Sequence, residues 1–289
     1  MDQPNIEDRM GIALRDIGIP PRPTILLEID REMAKDEPDF SRLAKILGAD
    51  VAMAAALIKT TNSPFFGFNK KVRTVHEALL VLGLKTVVST IAGIELRKAF
   101  QHVPDMERFW DASAKTARVS GWLAKRCKAR SRIRPEDAHT FGLFRDCGIP
   151  VLMIPFPEYR SVLAKANAET ELSFTAVEDQ LLSVNHAEMG ASLAESWLLP
   201  DEIALAILHH HDLSRLEEQQ GASSVAGLSW RLIAIAHLAE HLIQERTGLA
   251  RTQEWGKVSG VVLQLLAVDE TELVTLIDEC GAVISGSAD

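Results

Sequence analysis

Apolar residues recur at three- and four-residue spacing along almost the whole of this chain. Nowhere do they alternate with polar residues long enough to make a half-buried strand. Leu43, Ile46 and Leu47 keep the helical spacing, as do Val75, Leu79, Leu80 and Leu82. Trp110, Ala114, Ala117 and the run 119–122 continue it, followed by Leu193 and Trp197, then Leu232, Ile235, Ala236 and Ala239. Helix starts are marked as well. Thr74 with Glu77, Thr175 with Glu178 and Asn185 with Glu188 each read as a capping box, in which a side-chain oxygen and a carboxylate satisfy the free N–H groups of a first turn. Pro200 before Asp201 and Glu202 marks another start, with acids at the positive end of the helix dipole. The turn-forming cluster 18–23 should lead into the first helix. These signals predict an all-α fold.

Three parts are expected: a helical block over 1–104, a second over 105–246 that holds most of the histidines, and a helical C-terminal extension over 247–289. Lys and Arg number 31 against 40 Asp and Glu, a formal charge of −9 that disfavours nucleic acid as a partner. The one clear basic run, from Lys125 to Arg134, follows an apolar helix, where cations suit the negative end of the dipole. Cys127, Cys147 and Cys280 are far apart and show neither metal-type spacing nor a disulfide framework, which fits a reducing compartment. The first residues lack the basic start and apolar run of a secretory signal. The most apolar stretch, Ala78 to Ile94, is interrupted by Lys85 and is read as too short for a membrane span. The expectation is a cytoplasmic protein with no membrane and no nucleic-acid partner.

Five of the nine histidines invite a metal reading: His186, His209, His210, His211 and His237. Asp146 interrupts an apolar stretch nearby in the sequence 142–148. Imidazole nitrogen and carboxylate oxygen are ligands that a borderline divalent cation takes. Successive residues on a helix diverge by about 100°, so a helix ending in His209-His210-His211 aims at most two of them into one pocket. A lone histidine on a helix is more often a hydrogen-bonded or solvated residue than a ligand, and His76, His102, His139 and His241 are given no function.

The order of these motifs resembles the His-Asp phosphohydrolases, and more closely their relatives, the HD-related output domains (HDOD). The resemblance covers about Ile19 to His211 and extends into the helix around His237. Ile19-Pro20-Pro21 with Pro23 is similar to the family's opening motif, and the run 58–67, with Asn62 and Ser63, to its Asn-Ser motif. Thr74-Val75-His76-Glu77-Ala78 with Leu82-Gly83 resembles the next helix and its stop. Trp110 with Ser113, Gly142-Leu143 with Asp146 and Gly148, His186 with Gly190, Trp197 and Pro200, and His210-His211 follow in order. The implied architecture is an N-terminal helical subdomain packed on a degenerate HD-type helical core.

Transferring the hydrolase ligands residue by residue leaves gaps. The first histidine is replaced by Ala112, the histidine of the His-Asp doublet by Arg145, and the late aspartate by His237. A second-metal set, Asp146, His186, His210 and His211, does match. Arg145 places a permanent cation beside it, and Coulomb repulsion then opposes a divalent ion. No metal or other cofactor is therefore expected; if one binds, those four residues hold it. Pro150 is expected to shorten the helix bearing Asp146. Hydrolysis on this frame needs a metal-activated hydroxide. There is no nucleophile elbow or P-loop, and the glycine-bearing run 221–227 has the wrong pattern for one.

The resemblance thus implies a non-enzymatic bacterial signal-transduction module acting through contacts with other signalling proteins. A residual metal-dependent phosphodiesterase is one alternative. The other is a small-ligand sensor that holds an anion with Arg145 and the histidines of the old pocket. For the interaction reading, the dense phenylalanines Phe65, Phe66 and Phe68 either form a docking patch or join the two blocks.

Overall fold

The structure, a computed structural model, describes residues 18–63, 66–68, 70–127, 132–212, 225–249 and 252–285. Among these residues every regular element is a helix. The first four are α1 (Thr24–Met33), α2 (Phe40–Gly48), α3 (Val51–Thr61) and α4 (Val75–Ala99). The central series is α5 (Glu107–Arg126), α6 (Pro135–Phe144), α7 (Gly148–Met153), α8 (Tyr159–Ala168), α9 (Phe174–Leu182), α10 (His186–Ser196) and α11 (Asp201–His209). Three more complete the chain: α12 (Val225–Thr247), α13 (Glu254–Leu266) and α14 (Glu270–Ser285).

Five of the starts follow from side-chain oxygens placed one residue before the first turn. Asp39 accepts from Arg42 N, and Asp50 from Ala52 N and Met53 N. The capping box at Thr74 forms, with Thr74 Oγ1 accepting from Glu77 N and Glu77 Oε2 from Arg73 N. Asn185 likewise caps α10 by accepting from Glu188 N. The box expected at Thr175 does not form. Ser173 is the cap, accepting from Ala176 N, so α9 begins one residue before Thr175. Glu178 therefore lies inside the helix and is fully buried.

α4 runs between the N-terminal helices and the rest, packing on α1, α2 and α3 and reaching α6. By length and composition it could cross a membrane, Lys85 notwithstanding. It is broken at Gly83, whose φ of 73° and ψ of 161° are open to glycine at little cost. Leu80 is 61% exposed despite its place in the apolar spacing, because the buried face before the break is Val75, Ala78 and Leu79 and Leu80 stands about 100° from Leu79. Asn62 closes the preceding loop. Its Nδ2 donates to Val72 O at 2.7 Å, and its Oδ1 accepts from Val72 N at 2.8 Å. This marker residue is thus a backbone clamp. Ser63 N, beside it, donates to Thr60 O and continues the turn. Trp197, at the end of α10, donates its Nε1–H to Pro20 O at 3.0 Å and ties the opening turn to the core.

The core is organised around α12, which packs against α5, α6, α11, α13 and α14. From Leu232 to Ala239 every residue of it is buried, as expected for a helix enclosed on all sides. α10 lies between α7 and α11. That sandwich sets up the site.

Candidate functional site: a buried histidine and carboxylate cluster

α6 stops at Phe144, and the chain turns through Arg145, Asp146 and Cys147 before α7 begins. Pro150 does not end the Asp146 helix as expected. It occupies the first turn of α7, where a missing N–H costs nothing. Asp146 therefore projects from a turn between two helices. α7 approaches α10 closely because residue 148 is glycine: a Cβ there would lie 2.0 Å from His186 O and 2.7 Å from Gly190 N. The same contact brings Asp146 against His186, the first residue of α10.

α11 ends in the three histidines, and they diverge as helix geometry requires. His210 and His211 turn inward and are buried. His209 faces the other way, 3.7 Å from Asp212 and tilted against Trp230. Asp146, His186, His210 and His211 each offer one ligand atom within 4.8 Å of the others. His186 Nε2 lies 3.2 Å from His210 Nε2, and Asp146 Oδ1 lies 3.6 and 3.3 Å from these two nitrogens. Phe174 closes the group, stacked on the His211 ring and edge-on to His186.

Every inward histidine has its other ring nitrogen tied to an acceptor. His186 Nδ1 lies 2.7 Å from Glu178 Oε2, His210 Nδ1 2.7 Å from the Ile207 carbonyl, and His211 Nδ1 3.0 Å from Glu254 Oε2. Glu178 also accepts from the Tyr159 hydroxyl and from His186 N. Glu254 also accepts from Lys257 Nζ at 2.9 Å. Sequence reasoning missed both glutamates. Glu178 has the spacing of a capping residue, and Glu254 lies on α13, beyond the motif series.

Arg145 is buried and forked. Its Nε and Nη2 donate to Asp146 Oδ2 at 3.2 and 3.0 Å, and its Nη1 and Nη2 to the Glu240 carboxylate at 3.2 Å each. Glu240 stands one turn beyond His237 on α12. His237 is buried behind the cluster, and its Nε2 is bonded to the His210 carbonyl at 2.8 Å, outside the four-ligand group. Ala112 of α5 offers no ligand atom.

The charges follow this geometry. Burial works against the Arg145 guanidinium, yet Asp146 and Glu240 outweigh it and strengthen its hold on the proton. Burial raises the Asp146 carboxyl, but Arg145 and the two histidines bring it well below the usual range. Burial lowers His186, and the Glu178 charge together with hydrogen bonds to Asp146 and Glu178 reverses this, lifting it to about 9. Burial dominates at His210, His211 and His237, all of which are pushed down. The two-metal arrangement of a phosphohydrolase does not fit these residues, because an arginine and an alanine stand at two ligand positions. The donor set of the remaining four does fit one cation.

Comparison with known proteins agrees with the fold. Residues 19–213 match the family model described as HDOD domain. A protein of Treponema pallidum (strain Nichols) with no assigned role is 29% identical over 210 residues, which are 72% of this chain and 40% of that protein. The chain thus spans less than half of that relative's length. Among solved structures, an HDOD domain protein of unknown function from Geobacter sulfurreducens superposes with a TM-score of 0.68 at 21% identity, over 98% of this chain and 97% of its own. A candidate phosphohydrolase from Shewanella amazonensis SB2B gives 0.68 at 20% identity, over 95% of both chains. The chain belongs to the HDOD family.

Proposed function

We propose that this chain is a non-enzymatic bacterial signal-transduction module, cytoplasmic, that acts by binding other signalling proteins. The observation that carries the reading is Arg145. A guanidinium stands in place of the histidine that a His-Asp doublet would give to a metal, and two carboxylates hold it there. A phosphoester hydrolase on this frame would need that position to bind an ion that generates hydroxide. The Arg145 charge is matched by Asp146 and Glu240, which gives little support to its use as the anion donor of a small-ligand sensor.

Support for protein contacts comes from the opposite end of α6. A groove of about 650 Å³ lies there, lined by Phe66, Phe68, Val81, Leu82, Lys125 and Arg134 among others. Phe68 is 40% and Val81 44% exposed, and apolar surface of this kind marks interaction sites. Phe65 lies outside the described residues, as do 128–131 of the basic run and 221–224 of the glycine-bearing run. The test is a phosphodiesterase assay of the full chain on a chromogenic phosphodiester and on cyclic dinucleotides, with manganese or ferrous iron added. No turnover above background is expected. Turnover that disappears in Asp146→Ala would refute the reading.

A further inference from the structure

We propose that Asp146 Oδ1 and the Nε2 atoms of His186, His210 and His211 form a closed, four-coordinate site for one divalent cation of the zinc class, held in place by Glu178 and by Glu254 of α13. The first support is proton accounting. The Ile207 carbonyl can only accept, so His210 carries its hydrogen on Nδ1. Glu178 accepts from Tyr159 and His186 N, and Glu254 from Lys257, so each is a carboxylate acceptor for its histidine as well. Each ring thus spends Nδ1–H on an acceptor and turns its other nitrogen to the interior, where a bound cation displaces the proton that His186 otherwise holds. Carboxylate and carbonyl partners of this kind are the usual outer support of metal-bound histidines. A proton on one ring can serve one neighbour, whereas a cation is shared by all four atoms.

Distances give the second support. A tetrahedral zinc ion with bonds of about 2.0–2.1 Å needs ligand atoms about 3.3–3.4 Å apart. The three edges among His186 Nε2, His210 Nε2 and Asp146 Oδ1 are 3.2, 3.3 and 3.6 Å, and the ligand atom of His211 lies within 4.8 Å of the others. Charge gives the third and removes the objection raised by Arg145. The guanidinium engages Oδ2 of Asp146 and leaves Oδ1 to the histidines. Asp146, Glu178, Glu240 and Glu254 set four carboxylates around the cluster, against the guanidinium of Arg145, the ammonium of Lys257 and the proton that His186 holds without a metal. A divalent ion that displaces the His186 proton balances the four carboxylates. With four protein ligands the coordination is full, as in a structural zinc site, and no position is left for a reacting water.

The site does not depend on the non-hydrolytic reading. Turnover by zinc-loaded protein would overturn that reading and the closure of the coordination sphere, while binding of the ion by these four residues is decided separately by titration. To test the site, the full chain is stripped with a chelator and titrated with zinc against a chromophoric chelator, and with cobalt(II) while visible absorption is recorded. One ion per chain and the intense bands of tetrahedral cobalt are expected, both lost in His210→Ala. Glu254→Gln keeps all four ligands and should bind roughly 10- to 100-fold more weakly. The exposed His102→Ala should bind as wild type. No binding, a weak octahedral cobalt spectrum, stoichiometric binding that survives His210→Ala, or wild-type affinity in Glu254→Gln would overturn the proposal. Should His210→Ala fail to fold, Glu254→Gln decides.

Discussion

Replacing Arg145 by alanine tests whether the guanidinium is what neutralises the site. Its side chain is 8% exposed, against 23% for Asp146 and 22% for Glu240. Removing one member of a buried ion pair costs about 3–5 kcal/mol, mostly because the partner charge is left without compensation. Here the two carboxylates keep roughly a fifth of their side-chain surface in water and are partly resolvated, so we expect about 2–3 kcal/mol. For a chain of this size that lowers Tm by about 5 °C. The assay is urea unfolding by far-UV circular dichroism at neutral pH with chelator present, on Arg145→Ala, Glu240→Gln and the double variant. Because the single changes share one interaction, the double variant should lose about 1 kcal/mol less than their combined effects. An Arg145→Ala protein within about 0.5 kcal/mol of wild type, or strictly additive losses, would show that the fork is not holding the buried carboxylates.

Three more changes address how the fold and the site are built. Gly148→Ala puts a methyl group 2.0 Å from the His186 carbonyl, where only backbone can give way, and should cost roughly 3 kcal/mol or prevent folding. Gly256→Ala in α13 meets nothing within 4 Å and should raise stability by up to about 1 kcal/mol; thermal melts of the two variants compare them directly. Asn62→Ala removes both hydrogen bonds to Val72 and should cost about 2 kcal/mol, with faster hydrogen exchange at the Val72 amide as the local signature. Unchanged exchange there would mean that the loop is held by other contacts.

The helices were legible because their signals are local. Thr74, Asn185 and Pro200 mark starts by chemistry confined to one turn, and the apolar spacing of α12 is carried within a single helix. That no more than two of the three consecutive histidines face one pocket follows from helix geometry, but which two do does not, since the helix ends at His209. What was hidden depends on which face a residue takes once the helices pack. Glu178 sits three residues after a threonine and carries the pattern of a cap. Ser173 begins the helix sooner and sends that carboxylate into the core. Glu240 lies between Ala239 and His241 with nothing to distinguish it from a solvated helix residue. Its partner Arg145 is 95 positions away. Leu80 errs in the opposite sense, apolar by pattern yet exposed, because the buried face there is Val75, Ala78 and Leu79 and Leu80 stands about 100° from Leu79.

One carboxylate links the two halves of this site. Asp146 gives Oδ2 to a resident cation and Oδ1 to the histidines, so whatever charge the histidines gather is felt by Arg145 through a single rigid group. From Arg145 the contact continues to Glu240 on α12, the helix that most of the core packs against. From His211 it continues to Glu254 on α13, where Lys257 bridges Glu254 to the Leu172 carbonyl just before α9. α9 in turn supplies Glu178 to His186, which closes a loop of hydrogen bonds around the cluster. α13 follows the matched 19–213 region, yet it provides one of the three acceptors that orient the inward histidines. The cluster thus has carboxylate partners on two helices, Glu240 through Arg145 and Glu254 through His211, and those helices, α12 and α13, are in direct contact.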